Sequence, residues 1–454
     1  MTKDTNLFKE FNPVSAKEWK QQIQMELKGA DYNKTLVWQS LEGIDVKPFY
    51  HADNYECVAV PMAKEDFKIS QQIFIDNPEI ANKIAIDSLS KGVENIVFVA
   101  KESFDIDVLF QGFKDLKKKP TVYFKMEFLS VSFNSTLLDY SNDFPINLQI
   151  DVIGHFAKTG NRFQNKKSDF SSLAEILIKH PLQNQLSVNA AIYQNAGANA
   201  VQQVAYALAH ATEYLNVFEK EEISTMQFQF AIGSNYFFEI AKLRAFRYLW
   251  KQVTSTFSED IKPIISAKPS VRNKTLYDYN VNMLRTSTEY MSAILGGADV
   301  VEIQAYDTIF KKSNDFSNRI ARNQLLVLRE ENGFEAAQSF AKGSYFIESL
   351  TVEIAKKALE LYKDIEKQGG FMVALKSGKI QEKIKEVATK EQDLFDQGEI
   401  SLLGTNKYPN SEDKMKDEIE LFPFLKTNIN QTQIQPILSK RLAEKMEQER
   451  LEKE

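Results

Sequence analysis

The chain has 454 residues, of which 43% are hydrophobic and 26% charged, enough apolar content for a large buried core. Its net charge of -6 leaves no basic field for nucleic acid, and no apolar run is long enough to span a bilayer. The opening MTKDTNLFKEFNP lacks the apolar centre of a signal peptide, and the single cysteine, Cys57, excludes an internal disulfide framework. Cys57 reads as a small buried hydrophobe, and the balance points to a reducing cytoplasm.

The first predicted element is a helix from Ser15. Ser15 and Glu18 form a capping-box pattern, Gly29 is a stop, and Trp19, Ile23 and Leu27 make an apolar stripe. A turn-rich stretch follows around 43–54. Strands are then predicted near 69–75, 95–99, 121–124, 146–152, 186–192, 226–232, 262–266 and 299–303. Helical patterns follow each, at 78–91, 104–117, 135–140, 172–179, 198–218, 236–256, 281–295 and 317–331. Eight strands, each followed by a helix, match the (β/α)8 barrel count; a doubly wound open sheet gives a similar local pattern. From 350 the chain turns helical, with long helices at 350–368 and 379–397 and a charged one at 438–454 carrying Leu438, Leu442 and Met446. The expected organisation is an N-terminal arm (1–55) that contacts a partner, a barrel (56–350) and a C-terminal helical extension (351–454).

Four strands carry polar residues on one alternating face. Asn147, Gln149 and Asp151 alternate with Ile146, Leu148 and Ile150; Ser187 and Asn189 with Leu186 and Val188. Gln227 and Gln229 alternate with Phe228 and Phe230; Glu302 and Gln304 with Val301 and Ile303. Side chains of a strand switch faces at each residue, so one face of each is oily and the other polar. With helices covering the oily face, the polar face fills an enclosed lumen. A buried amide without a partner costs about 1–3 kcal/mol, so these groups must bond one another, water or a polar ligand.

Metal chemistry finds no support in the spacing of the four histidines, His51, His155, His180 and His210, none of which forms a close ligand pair. His210 lies in a helical pattern and reads as a packed or surface residue. No G-x-S-x-G, Walker A or G-x-G-x-x-G element occurs. Arg319 and Arg322 read as structural, and Asn406 and Tyr408 as turn residues.

Larger blocks are more specific. FAIGSNYFFEIAKLRAFRYLW (230–250), NVNMLRTSTEYMSAILGGADVVEIQAYD (280–307), RIARNQLLVLREENGF (319–334), GSYFIESLT (343–351) and GTNKYPN (404–410) together resemble the methylmalonyl-CoA mutase family, with spacing intact along most of the chain. The resemblance implies a (β/α)8 barrel whose axis, in catalytic subunits, holds the pantetheine arm of an acyl-CoA. It also implies adenosylcobalamin on a separate domain with a D-x-H-x-x-G motif, and radical chemistry in a closed pocket.

The chain departs from the catalytic pattern at each key place. The G-Y-H-M-Q-E-A-G-A run is here Ala190-Ala191-Ile192-Tyr193-Gln194-Asn195-Ala196-Gly197-Ala198, with Ile192 at the histidine position. The R-N-T-Y run is missing; Arg162 lies nearby without matching it. The R-P-W-T-I-R-Q-Y-A-G run is here Glu65-Asp66-Phe67-Lys68-Ile69-Ser70-Gln71-Gln72, with Gln72 near the tyrosine position, and the D-x-H-x-x-G motif is not found. The resemblance therefore implies a non-catalytic barrel subunit that binds no cofactor itself and pairs with a catalytic large subunit carrying adenosylcobalamin. No site residue is expected to be catalytic. Asn147, Gln149, Ser187, Asn189, Gln227, Gln229 and Gln304 are expected to line a lumen that is filled and internally hydrogen-bonded. An acyl-CoA mutase barrel working with a separate cobalamin-binding protein, or a module that binds a CoA ester as a regulatory ligand, is the competing expectation.

Overall fold

In the computed structural model the described residues are 10–62, 66–180, 186–218, 223–257, 261–334, 340–425 and 431–454. The first nine residues and Glu65, quoted above, lie outside them.

Eight strands form one wholly parallel sheet: β1 (Lys68–Phe74), β2 (Asn95–Ala100), β3 (Thr121–Met126), β4 (Ile146–Leu148), β5 (Ser187–Asn189), β6 (Thr225–Ile232), β7 (Lys262–Pro269) and β8 (Val300–Glu302). Their order is β4-β3-β2-β1-β8-β7-β6-β5, and a single parallel bridge between Ile150 and Leu186 joins the two ends. The expected (β/α)8 barrel is therefore the fold, with its thinnest seam between β4 and β5.

The oily face packs outward on the helix ring. Ile69, Ile96, Val122, Leu148, Val188, Phe228, Ile265 and Val301, one from each strand, are fully buried there. The helices are α1 (Ala16–Glu26), α2 (Pro78–Ser90), α3 (Val131–Asp139), α4 (Val152–Thr159), α5 (Lys166–Lys179), α6 (Ala200–Val217), α7 (Tyr236–Ser255), α8 (Val281–Leu295), α9 (Asp315–Leu326), α10 (Tyr345–Lys367), α11 (Lys379–Asp396) and α12 (Glu444–Leu451). Most begin on a residue that accepts a bond from the first turn: Asn77 for α2, Asn199 for α6 and Asn235 for α7.

Several boundaries differ from the sequence reading. The predicted strands 146–152 and 186–192 are three residues each, because Asp151 starts α4 and Ala191–Asn195 is already helical. The predicted helix 104–117 is one short turn, Ile106–Leu109, and a 3-10 turn, Phe113–Asp115. The predicted helix at 438–454 is limited to α12; residues 431–443 form an irregular strap.

The N-terminal arm precedes the barrel. The Ser15–Glu18 capping box is present, and the Ala16 amide donates to Asp53 at 2.8 Å. Trp19 stacks on Phe49 with ring centroids 4.6 Å apart, yet remains 46% exposed. Cys57 is exposed, which corrects the expectation of burial: it sits in an irregular segment running over the surface toward β1.

The strap crosses the carboxyl ends of the strands. Its backbone is held by amides of Ile434 and Ile437 donating to the carbonyls of Gly160 and Ala157, and by Lys440 donating to Asn195. Arg272 reaches back from the loop after β7, donating to the Lys440 carbonyl at 2.7 Å and to Glu391 of α11 at 2.6 Å.

Candidate functional site: the barrel mouth

Beneath the strap is a cavity of about 320 Å³ at the carboxyl ends of the strands, where barrel folds place their sites. Gln72, Gln149, Asn189, Gln229 and Gln304 line it, together with Ile192. Asn147, Ser187 and Gln227 do not line it and are buried, as is Tyr123. Of the seven predicted lumen residues, four line this cavity, Gln149, Asn189, Gln229 and Gln304, and three do not, Asn147, Ser187 and Gln227.

Two of these amides bond backbone carbonyls. Gln227 Nε2 donates to the Leu148 carbonyl at 3.3 Å, and Gln304 Nε2 to the Ser270 carbonyl at 3.5 Å. The Gln304 side chain is 3% exposed and its Oε1 has no partner. The upper amides face open space because the strap arches over them instead of descending between them.

Three lysines were missed. Lys125 at the end of β3, Lys158 on α4 and Lys268 near the end of β7 all line the cavity, with Glu302 of β8. Lys268 Nζ donates to Glu302 Oε1, and also lies 3.4 Å from Gln72 Oε1. Burial, then repulsion from Lys158, pushes the Lys125 ammonium down to about 8. The same period-two alternation would have found two of them. The predicted strands stopped at 124 and 266, short of Lys125 and Lys268, and α4 was not anticipated.

Behind the mouth lies a buried polar cluster. Asp151, the N-cap of α4, accepts from the backbone amides of Gly154 and Asn189, both at 2.7 Å, and from Tyr214 Oη at 2.8 Å. His210 Nε2 lies 2.9 Å from Asp151 Oδ1, and its Nδ1 2.9 Å from Tyr193 Oη. His210 is fully buried, and Tyr193 turns away from the cavity although the neighbouring Ile192 lines it. This confirms His210 as a packed residue. Asp151 does not continue the lumen row: leaving the strand, it caps the helix instead.

Comparison with known proteins now bears on the site. A family model described as methylmalonyl-CoA mutase matches residues 147–453. The methylmalonyl-CoA mutase small subunit of Porphyromonas gingivalis is 33% identical over 91% of this chain and 73% of its own length. The chain belongs to the methylmalonyl-CoA mutase family. The mutase of Cereibacter sphaeroides is 29% identical over 92% of this chain and 67% of its own, and the small subunit of Streptomyces virginiae 31% over 58% and 44%. Of the mutase of Escherichia coli the match spans only 40%.

Within this mutase-family barrel, the position that resemblance assigns to a histidine is Ile192, on the cavity wall and 9% exposed. The tyrosine position, near Gln72, also faces the cavity. Arg162 does not: its guanidinium stacks on the Phe156 ring at 4.1 Å. Neither Arg319 nor Arg322 lines the mouth. Asn406 fulfils its expected turn role, accepting from the Leu402 amide and donating to the carbonyls of Phe395 and Ile400.

The residues present do not fit a cobalt-ligating role in the mouth. Among the described residues no histidine lines that cavity, and both ring nitrogens of His210 are engaged by Asp151 and Tyr193. Among the described residues no cluster of three His, Cys, Asp or Glu side chains could hold a metal, and no helix is long and apolar enough to cross a membrane.

Proposed function

We propose that this chain is the non-catalytic barrel subunit of an adenosylcobalamin-dependent methylmalonyl-CoA mutase in the cytoplasm, with cofactor and chemistry on a catalytic large subunit. The observation that carries this reading is Ile192 on the cavity wall. An aliphatic side chain there can neither donate a hydrogen bond nor move a proton, so the place held by the family's histidine is chemically silent. The similarity to proteins named as small subunits supports the same reading.

The arm supplies a surface for that partner. Trp19, Met25 and Trp38 are 46%, 75% and 52% exposed, a set of large apolar groups of the kind enriched in interfaces. The expected contact is of obligate size, about 2,000 Å² or more.

The test is reconstitution. The purified chain, adenosylcobalamin and methylmalonyl-CoA are assayed with and without the large subunit encoded beside it. Turnover should require the large subunit, and the two chains should co-elute. Turnover when the chain is supplied only with a separate cobalamin-binding protein would overturn the reading.

A further inference from the structure

The mouth cavity sets three lysines and several amides among apolar wall residues. Tyr123, Asn147 and Gln227 are buried and do not line it, so among the described residues the polar lining ends at the upper amides. Three lysines face one glutamate across it. Lys268 is matched by Glu302, leaving Lys125 and Lys158 without an ion-pair partner among the described residues. A half-buried ammonium without an ion-pair partner carries a desolvation cost, and a bound anion offsets it. The lining amides add donors at the same level, from Gln149, Asn189 and Gln229. The space equals the liquid volume of roughly ten waters, ample for a small acid.

We propose that the barrel mouth binds a compact dianion, a short dicarboxylate or a phosphate, held by Lys125 and Lys158 and by the amides of Gln149, Asn189 and Gln229. Lys158 stands at the exposed rim, while Lys125 is half-buried at the end of β3, so the two ammonium groups meet the ligand at different depths. The strap residues Ile437 and Leu438 close the apolar side. The proposal concerns this chain alone and stands whether or not a catalytic partner binds it.

Calorimetry on the full chain with malonate and with inorganic phosphate tests it, with sodium chloride as the ionic-strength control. One of the two dianions should give saturable heat, and which one identifies the source. Lys125→Gln and Lys158→Gln should each weaken binding at least about tenfold, whereas Lys83→Gln, on the outer surface, should not. Should Lys125→Gln fold poorly, the rim variant Lys158→Gln carries the test. Reaction of Lys125 with an amine-directed acylating reagent, followed by mass spectrometry, should be slowed by the same dianion. Absence of binding at millimolar concentration of both, or equal binding by wild type and Lys158→Gln, overturns the proposal.

Discussion

The carboxylate of Asp151 and the imidazole of His210 sit 2.9 Å apart in the wall behind the barrel mouth. An ionised carboxylate only accepts, so His210 Nε2 carries the hydrogen of that bond; when the ring is neutral, Nδ1 accepts from Tyr193 Oη. Burial alone would raise the Asp151 carboxyl, but His210 and the amides of Asn189 and Gly154 outweigh it and hold the group below the ordinary carboxylate range. One side chain thus caps α4, ties β5 to β4 across the thinnest seam of the barrel, and anchors α6.

Asp151→Asn should destabilise the protein by about 3 kcal/mol at neutral pH, because an amide NH2 would face donors and the charge-assisted bonds would be lost. The sign with pH follows from the depressed carboxyl. Its contribution is fully present above the unfolded value near 3.9 and is lost as pH falls toward the lower folded one. Urea midpoints should therefore separate the two proteins at pH 7 and converge below about pH 4. Equal separation throughout would assign the effect to packing instead.

Lys125→Met should stabilise the chain by about 1–3 kcal/mol near neutrality, since it removes a half-buried ammonium repelled by Lys158. In the folded protein this lysine titrates near 8, below its ordinary value, so the unfolded chain binds more protons between about pH 8 and 10.5. Wild-type stability should rise across that window relative to Lys125→Met. Thermal denaturation at a series of pH values measures the difference; parallel curves would show that Lys125 is not perturbed.

The barrel was legible because every strand keeps one apolar face, and such residues as Ile96, Phe228 and Val301 report it without tertiary information. The mouth was half legible. Gln149, Asn189 and Gln229 follow from alternation, but Lys125 and Lys268 stand at strand ends, where local pattern fades and only the sheet partner extends the strand. The roof of the mouth is the irregular strap of residues 431–443, where the apolar spacing of Leu438 and Leu442 suggests a helix that begins only at Glu444. Its course is set by distant backbone partners at Gly160, Ala157 and Asn195, which the sequence does not announce.

Gly197 follows the short helix that carries Ile192, and its φ is +104°. A Cβ there would stand 2.5 Å from the Cβ of Ala388 on α11, well inside contact distance. Gly197→Ala should cost about 2 kcal/mol or more, from strain and clash together. Ala388→Gly in the same chain should recover part of the loss by removing that clash and leave the strain. Chemical denaturation of the two variants checks this, and no recovery in the pair would mean that backbone strain alone sets the cost.

Lys274 and Glu289 form a fully buried pair, with Nζ 2.7 and 2.8 Å from the two carboxylate oxygens and Asn273 donating to the same carboxylate at 2.7 Å. Burial pushes the Glu289 carboxyl up to about 7 and the Lys274 ammonium down, so desolvation opposes the charges that their contact favours. Breaking such a pair strands one charge, whereas replacing both leaves none. Lys274→Met should therefore cost about 3–5 kcal/mol, and Lys274→Met with Glu289→Leu should cost much less than the sum of the two single changes. The consequence reaches the mouth, because Arg441 of the strap donates to the Lys274 carbonyl at 3.1 Å and forms an ion pair with Glu447 at 2.6 Å. Hydrogen exchange at the amides of Ile437, Lys440 and Leu442 should quicken in the single variant and return toward wild type in the double. If exchange there stays unchanged while global stability falls, the strap is held by its own bonds to Gly160, Ala157 and Asn195 and not through Lys274.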